Sequence, residues 1–217
     1  MKLKNEHKKS DKIILFLLLA ISFFSFVLLL ISINNEGMLT SIDKKVNLSI
    51  ADNQASFLIK LSKIVSSIFE PAIFIVFLLL IIIFLYGKKR KKEAFSIGIL
   101  TLITFSLGEL IKIVLQRTRP INALVIERTF SFPSGHALMA IIFFGILIYL
   151  FEHHIKEKRN KSLLTASAVI LVILISLSRV YLGVHWFSDI LASFALGTFL
   201  LVLYIIILSH TDIFKTN

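Results

Sequence analysis

The chain contains no cysteine, which excludes disulfides, thiol nucleophiles and thiolate metal sites. It is also poor in charge. Only 17% of its 217 residues are Asp, Glu, Lys or Arg, against about a quarter in an ordinary soluble domain. Carboxylates are the scarcer sign, 13 against 24 basic residues. No internal repeat and no low-complexity segment interrupts the sequence. What it has in excess is apolar: 57% of residues are hydrophobic and the mean hydropathy is +0.89. That excludes disorder and argues against a water-soluble globule. In a soluble protein the net charge of +11 would raise nucleic acid as a partner. Here the basic residues stand in short blocks between long apolar runs, which is a membrane pattern, and no nucleic-acid partner is expected.

The apolar runs cover Ile13–Ile33, Ile64–Tyr86, Ala94–Leu115, Ala137–Phe151, Leu163–Leu177 and Phe187–Leu208. Most approach the roughly 20 residues that a helix needs to cross a bilayer; the fourth and fifth are short and need a further turn. The expected fold is all-α: one integral membrane domain over residues 1–217, a bundle of six transmembrane helices. Met1–Lys12 is basic like the start of a signal peptide, but the first run exceeds a signal's apolar core and no small-residue cleavage site follows. It reads as a retained first span. Lys2, Lys4, Lys8, Lys9 and Lys12 precede it, Lys88–Lys92 lie between spans two and three, Lys156, Lys158, Arg159 and Lys161 lie between spans four and five, and Lys215 is in the tail. Fifteen of the 24 basic residues thus fall on one side, which predicts both termini in the cytoplasm. In the long outer connection Asn34–Ser62, the apolar Phe57, Leu58, Leu61, Ile64, Val65 and Ile68 recur at helical spacing, with Lys60 and Lys63 on the other face. This predicts either an amphipathic helix at the outer interface or an N-terminal extension of span two.

Ionisable residues within or at the ends of spans are costly unless they serve a purpose. Four groups occur: Lys112 and Arg119-Pro120 in KIVLQRTRP after span three, Pro133-Ser134-Gly135-His136 before span four, Ser178-Arg179 at the end of span five, and His185 with Asp189 at the start of span six, in SRVYLGVHWFSD. With the N-terminus inside, all four meet at the outer face, and the basic blocks that set this topology are independent of them. Lys112, Arg119 and Arg179 are three cations with no local cluster of carboxylates. Guanidinium forks match phosphate oxygens, and an ammonium adds a point charge. Pro120 disfavours helix at Arg119, although Lys112 and Arg119 are seven apart, close to two turns. Ser134 and Gly135 precede a helix start, where free N–H groups and the dipole favour an anion. Together these form a phosphate cradle. His185 and Asp189 are i,i+4, so the carboxylate can hold one ring nitrogen and leave the other free as nucleophile. His136 is placed to protonate a leaving oxygen and to deprotonate water. With the cations taking up the charge, no metal or other cofactor is expected.

The combination of Lys112 to Pro120, PSGH, and Ser178-Arg179 with His185 and Asp189 resembles the three-part signature of the type 2 phosphatidic acid phosphatase family. The resemblance covers Lys112–Asp189 and the six-span layout. It implies a metal-independent phosphatase acting on lipid phosphates from within the membrane, with His185 forming a phosphohistidine, Asp189 orienting it and His136 as acid and base. It also implies that Lys112, Arg119, Ser134, Gly135 and Arg179 bind the phosphate. Candidate substrates are undecaprenyl diphosphate, phosphatidylglycerophosphate and phosphatidic acid. The same signature occurs in soluble haloperoxidases that hold vanadate, which six spans disfavour. A phosphotransferase using the same site is one alternative. An anion transporter is another, and it predicts charges at several depths and broken helices.

Other polar residues rank lower. Glu109, three residues before Lys112, is placed to neutralise it. Arg117 and Arg128 read mainly as solubilising the outer loop, and Tyr181 and Trp186 as interface aromatics. His153 and His154 fall at the opposite end.

Overall fold

The computed structural model describes residues 2–33, 37–152 and 154–210, with side chains for 12–33, 37–152 and 154–209. Lys215, His153 and residues 34–36 of the outer connection therefore lie outside the described residues, as do the side chains of Lys2, Lys4, Lys8 and Lys9. The chain is all helical among those residues: α1 (Lys2–Ser32), α2 (Met38–Asp52), α3 (Ser56–Ile68), α4 (Pro71–Gly87), α5 (Lys91–Leu115), α6 (Gly135–Glu152), α7 (Lys158–Tyr181) and α8 (Phe187–His210). Among the described residues six stretches are long and apolar enough to cross a membrane, with α3 and α4 together forming the second. This is a multi-pass membrane protein. The expected short spans are in fact longer. α6 takes in Gly135 and His136, and α7 runs from Lys158 through Arg179, because polar residues at the ends of a span can join its helix where the protein supplies partners.

Local chemistry sets the breaks. Glu70 is extended (φ −64°, ψ 142°) before Pro71, which opens α4 as its first residue, as the steric clash of a proline with the preceding residue requires. This divides the expected second span. The segment around Phe57–Ile68 is a helix of its own, α3, packed along α7; it lengthens the second apolar span toward its N-terminus, as one of the two expectations had it, but with a break before α4. At the other end, α5 stops at Leu115 because Gln116 adopts a left-handed conformation (φ 49°) whose N–H returns to the Lys112 carbonyl. Arg119 therefore leaves the helix, as Pro120 foretold.

α6 is central. It packs on α4, α5, α7 and α8, while α1 lies along α8. The core is built from Phe74 and Leu78 of α4, Leu138, Met139, Ile142 and Ile146 of α6, Ile175 of α7 and Leu196 and Leu200 of α8. Outward-facing side chains such as Phe24, Leu28, Leu102 and Ile113 are left exposed, because acyl chains solvate them as well as another helix would. Close packing and small residues must then hold the helices together. A Cβ added to Gly145 would stand 2.2 Å from Leu201 Cδ2, and one on Gly197 would stand 3.0 Å from Ile141 Cγ2. α6 and α8 thus pack so closely that a side chain at either glycine would displace Leu201 or crowd Ile141.

Candidate active site

Antiparallel spans bring the C-terminal ends of α5 and α7 and the N-terminal ends of α6 and α8 to one end of the bundle, with the 116–134 connection folded over them. The buried acidic, basic and histidine residues among those described are Asp43, Glu93, Lys112, His136, Arg179, His185 and Asp189. All but Glu93 belong to this end. Glu93 is paired with Arg90 at the opposite end. Charge is thus confined to the two ends of the bundle, the reverse of the depth-distributed pattern an ion pathway needs.

His185 stands in the tight turn between α7 and α8. The turn is made by Gly183 (φ +65°), where an added Cβ would meet the Asn122 carbonyl oxygen at 3.0 Å. The connection is therefore pressed against the turn, and Leu124 N–H donates to the Leu182 carbonyl at 2.9 Å. His185 Nδ1 lies 3.3 Å from Asp189 Oδ2, and its Nε2 lies 3.3 Å from Arg119 Nη1. The Trp186 backbone N–H also donates to Asp189 Oδ2, at 2.9 Å. An Asp189 carboxylate that accepts from Nδ1–H leaves Nε2 with a free lone pair directed toward Arg119. Burial pushes the His185 pKa down to about 4; the Asp189 hydrogen bond opposes this, and Arg119 and Arg179 add to it. The ring is therefore neutral at physiological pH.

The cations are fixed before any ligand arrives. Arg119 donates to the carbonyls of Val184 (2.6 Å), Thr129 (2.8 Å) and Phe130 (3.1 Å), so its fork is held rigidly next to the histidine. Arg179 is 2% exposed and donates to Ser66 Oγ of α3 and to Glu127. Lys112 Nζ pairs with Glu109 at 2.7 Å, as expected, and lies 3.5 Å from where a Cβ on Gly135 would sit. Gly135 and the ammonium are thus near neighbours, with room for ordinary contact. His136, on the first turn of α6, has its ring at the Ser66 backbone and within the fields of Arg179, His185 and Lys112. Ser134 Oγ and Arg179 Nε are buried with no partner among the described residues. Such atoms are rare in native interiors, and both belong to residues expected to bind phosphate.

All eight expected residues thus converge. The geometry also contains three that sequence reasoning did not assign. Glu127, from the connection, accepts from Arg179 and places its other oxygen 4.0 Å from Arg119 Nη2. Although burial opposes ionisation, Arg179 above all, with Arg119, holds its carboxyl below the usual range. Arg117 is not a solubilising loop residue: Nη1 donates to Asp189 Oδ1 (2.5 Å) and Ser188 Oγ (2.7 Å), and Nη2 to Asp43 Oδ2 (2.7 Å). Asp43, 1% exposed, comes from α2. The signal for it was present, since Leu39, Asp43, Val46 and Ile50 share one helical face and an acid amid an apolar stripe implies a buried partner. Arg128 is exposed, as expected of a solubilising residue. Tyr181 accepts from the Ala55 N–H, and Trp186 donates to the Thr118 carbonyl. Among the described residues no group of three His, Cys, Asp or Glu side chains is placed to hold a metal ion.

Comparison with known proteins agrees with the fold. A model of the PAP2 superfamily matches residues 93–211. Phosphatidylglycerophosphatase B of Bacillus subtilis (strain 168) is 38% identical over 112 residues, covering 49% of this chain and 55% of the relative. An undecaprenyl-diphosphatase of Sulfolobus acidocaldarius is 32% identical over 120 residues, covering 52% and 54%. The chain thus spans about half the length of the curated relatives it matches. Among solved structures, a transmembrane PAP2-type phosphatidylglycerolphosphate phosphatase from Bacillus subtilis superposes with a TM-score of 0.78 at 25% identity, covering 88% of this chain and 96% of that one.

Proposed function

The chain belongs to the PAP2 superfamily, and from that premise and the geometry of the site we propose that it is a lipid phosphate phosphohydrolase working through a phosphohistidine. The observation that carries the reading is His185, held by Asp189 on one ring nitrogen and facing the immobilised Arg119 fork with the other. Nε2 attacks phosphorus while Arg119, Arg179, Lys112, Ser134 and the N-terminal turn of α6 at Gly135 take up the charge on the non-bridging oxygens. The P–O bond to the leaving group breaks, that group being the lipid hydroxyl of a monophosphate or the lipid monophosphate of a diphosphate, and protonated His136 delivers its proton to the departing oxygen. His136 then removes a proton from water, whose oxygen attacks the phosphohistidine and releases phosphate and neutral Nε2. Because the cations already carry the electrostatic load, the reaction is expected to run without metal.

The basic blocks flanking α5 and α7 support cytoplasmic termini and an active site at the extracytoplasmic face of the cell membrane. The substrate is a lipid mono- or diphosphate. The relatives' names point to phosphatidylglycerophosphate and undecaprenyl diphosphate, with phosphatidic acid as a third candidate. The test is phosphate release by purified protein in detergent with EDTA, comparing wild type with His185→Ala on these three lipids. Release that depends on His185 supports the reading. Release that requires divalent metal, or that survives in His185→Ala, overturns it. Transfer of the phosphoryl group to an acceptor other than water identifies a phosphotransferase instead.

A further inference from the structure

One charged network behind His185 is not part of the phosphate cradle. Asp43 Oδ1 accepts from the Ser188 backbone N–H at 2.9 Å, and its Oδ2 accepts from Ser188 Oγ and from Arg117 Nη2. The same guanidinium donates through Nη1 to Asp189 Oδ1, on the carboxylate whose other oxygen holds His185. Arg117 also lies over the Trp186 ring, 5.7 Å from its centre. Asp43, Ser188 and Asp189 are essentially excluded from solvent. One cation is thus shared by two buried carboxylates. Alone, Arg117 would cancel the charge with which Asp189 must stabilise a cationic His185 or the phosphohistidine. Asp43 takes part of that cation, leaving the network one negative charge that faces His185.

We propose that Asp43 and Arg117 are positioning residues for the reaction, the pair setting both the orientation and the effective charge of Asp189, and that α2 is docked on the bundle to deliver Asp43. This rests on the reading of His185 as nucleophile. The other charged or titratable groups facing His185 are Asp189 of α8, Arg119 and Glu127 of the connection, Arg179 of α7 and His136 of α6. None of them is altered in the variants that test the idea. Asp43→Asn leaves Arg117 to neutralise Asp189, whereas Arg117→Gln leaves two uncompensated carboxylates. The double variant restores a single negative charge. The effects on His185 must therefore be opposite in sign: Asp43→Asn makes it easier to deprotonate and Arg117→Gln harder, each by about one pH unit, and the double returns toward wild type.

The primary readout is the titration of His185 in detergent by ¹⁵N-histidine NMR, assigned by difference with His185→Gln, so that it does not depend on turnover. The second is the pH profile of lipid-phosphate hydrolysis. There Asp43→Asn should lower kcat by about 10–100-fold with little change in KM, as loss of an outer-shell partner does. The acid limb should move in the direction of the NMR shift. Opposite NMR shifts that recombine in the double variant support the proposal, and variants that merely fold poorly do not produce them. Shifts of the same sign, or no shift, overturn it. Absence of hydrolysis by wild type would count against the proposed function, while the NMR titration would still decide the coupling.

Discussion

Glu127 offers the sharpest test of the cradle. Its carboxylate accepts from Arg179 and lies 4.0 Å from Arg119 Nη2, so it engages donors that the proposed mechanism assigns to phosphate. Glu127→Gln keeps the shape and removes the charge. A hydrogen bond to a charged group contributes about 1.5–3 kcal/mol. The Glu127 side chain is 30% exposed, and partial solvent screening brings that to about 1–2 kcal/mol; the longer approach to Arg119 adds little. At about 1.4 kcal/mol per tenfold, the variant should bind inorganic phosphate about 5–30-fold more tightly. The assay is competitive inhibition of hydrolysis by inorganic phosphate in detergent, for wild type, Glu127→Gln and Glu127→Ala. The acidic variant Glu127→Asp, with a shorter reach, should fall between them. A Ki that is unchanged or weaker in Glu127→Gln would refute the idea that this carboxylate and phosphate compete. It would instead make Glu127 a support that holds Arg179 in place.

The remaining predictions concern the site, the turn and the orientation. His185→Ala should abolish hydrolysis, while Lys112→Ala should retain activity lowered by about 10²–10³, the usual cost of one charge-stabilising donor; equal losses in both would mean that Lys112 is needed for folding or for the chemistry itself. Because burial holds His185 near pKa 4, the acid limb of kcat/KM should lie well below the ordinary histidine value of about 6.5. The depressed value favours the neutral folded form, so stability is constant above about pH 6.5 and declines as pH falls toward 4. A limb near pH 6.5, the same for substrates of different phosphate acidity, would contradict this. Gly183→Ala should destabilise the protein by about 1–2 kcal/mol through its left-handed backbone and loosen the connection pressed against that turn, read as a lower Tm and a raised KM; an unchanged Tm would show that the turn relaxes freely. Since the chain has no native cysteine, Arg128→Cys should react with an impermeant thiol reagent applied outside intact cells and Lys89→Cys should not. The reverse pattern would invert the topology.

Much of this molecule was legible from local chemistry. Apolar runs of bilayer length dictate helices because an unpaired backbone amide in lipid is prohibitively costly, so six spans could be counted directly. Their alternating direction then brought Lys112, His136, Arg179 and His185 to one end, a matter of parity alone. Pro120 marked a break through sterics that act between adjacent residues. The separation of α3 from α4 was missed because hydropathy runs smoothly across Phe69, while the break depends on the backbone at Glu70. What only the tertiary structure decided is which charge meets which. Arg117 and Arg119 are two residues apart in one loop, yet one turns back to Asp43 and Asp189 and the other faces His185 Nε2. Nothing in their spacing distinguishes them; the difference arises from the left-handed turn at Gln116 and the docking of the connection on Leu182 and Val184. Asp43 reaches the site from a helix distant in sequence, and Glu127 finds Arg179 52 residues away rather than a neighbour in its own loop. A carboxylate's partner in a buried site is chosen by where helices pack, because only there does the low dielectric make the pairing worth more than hydration.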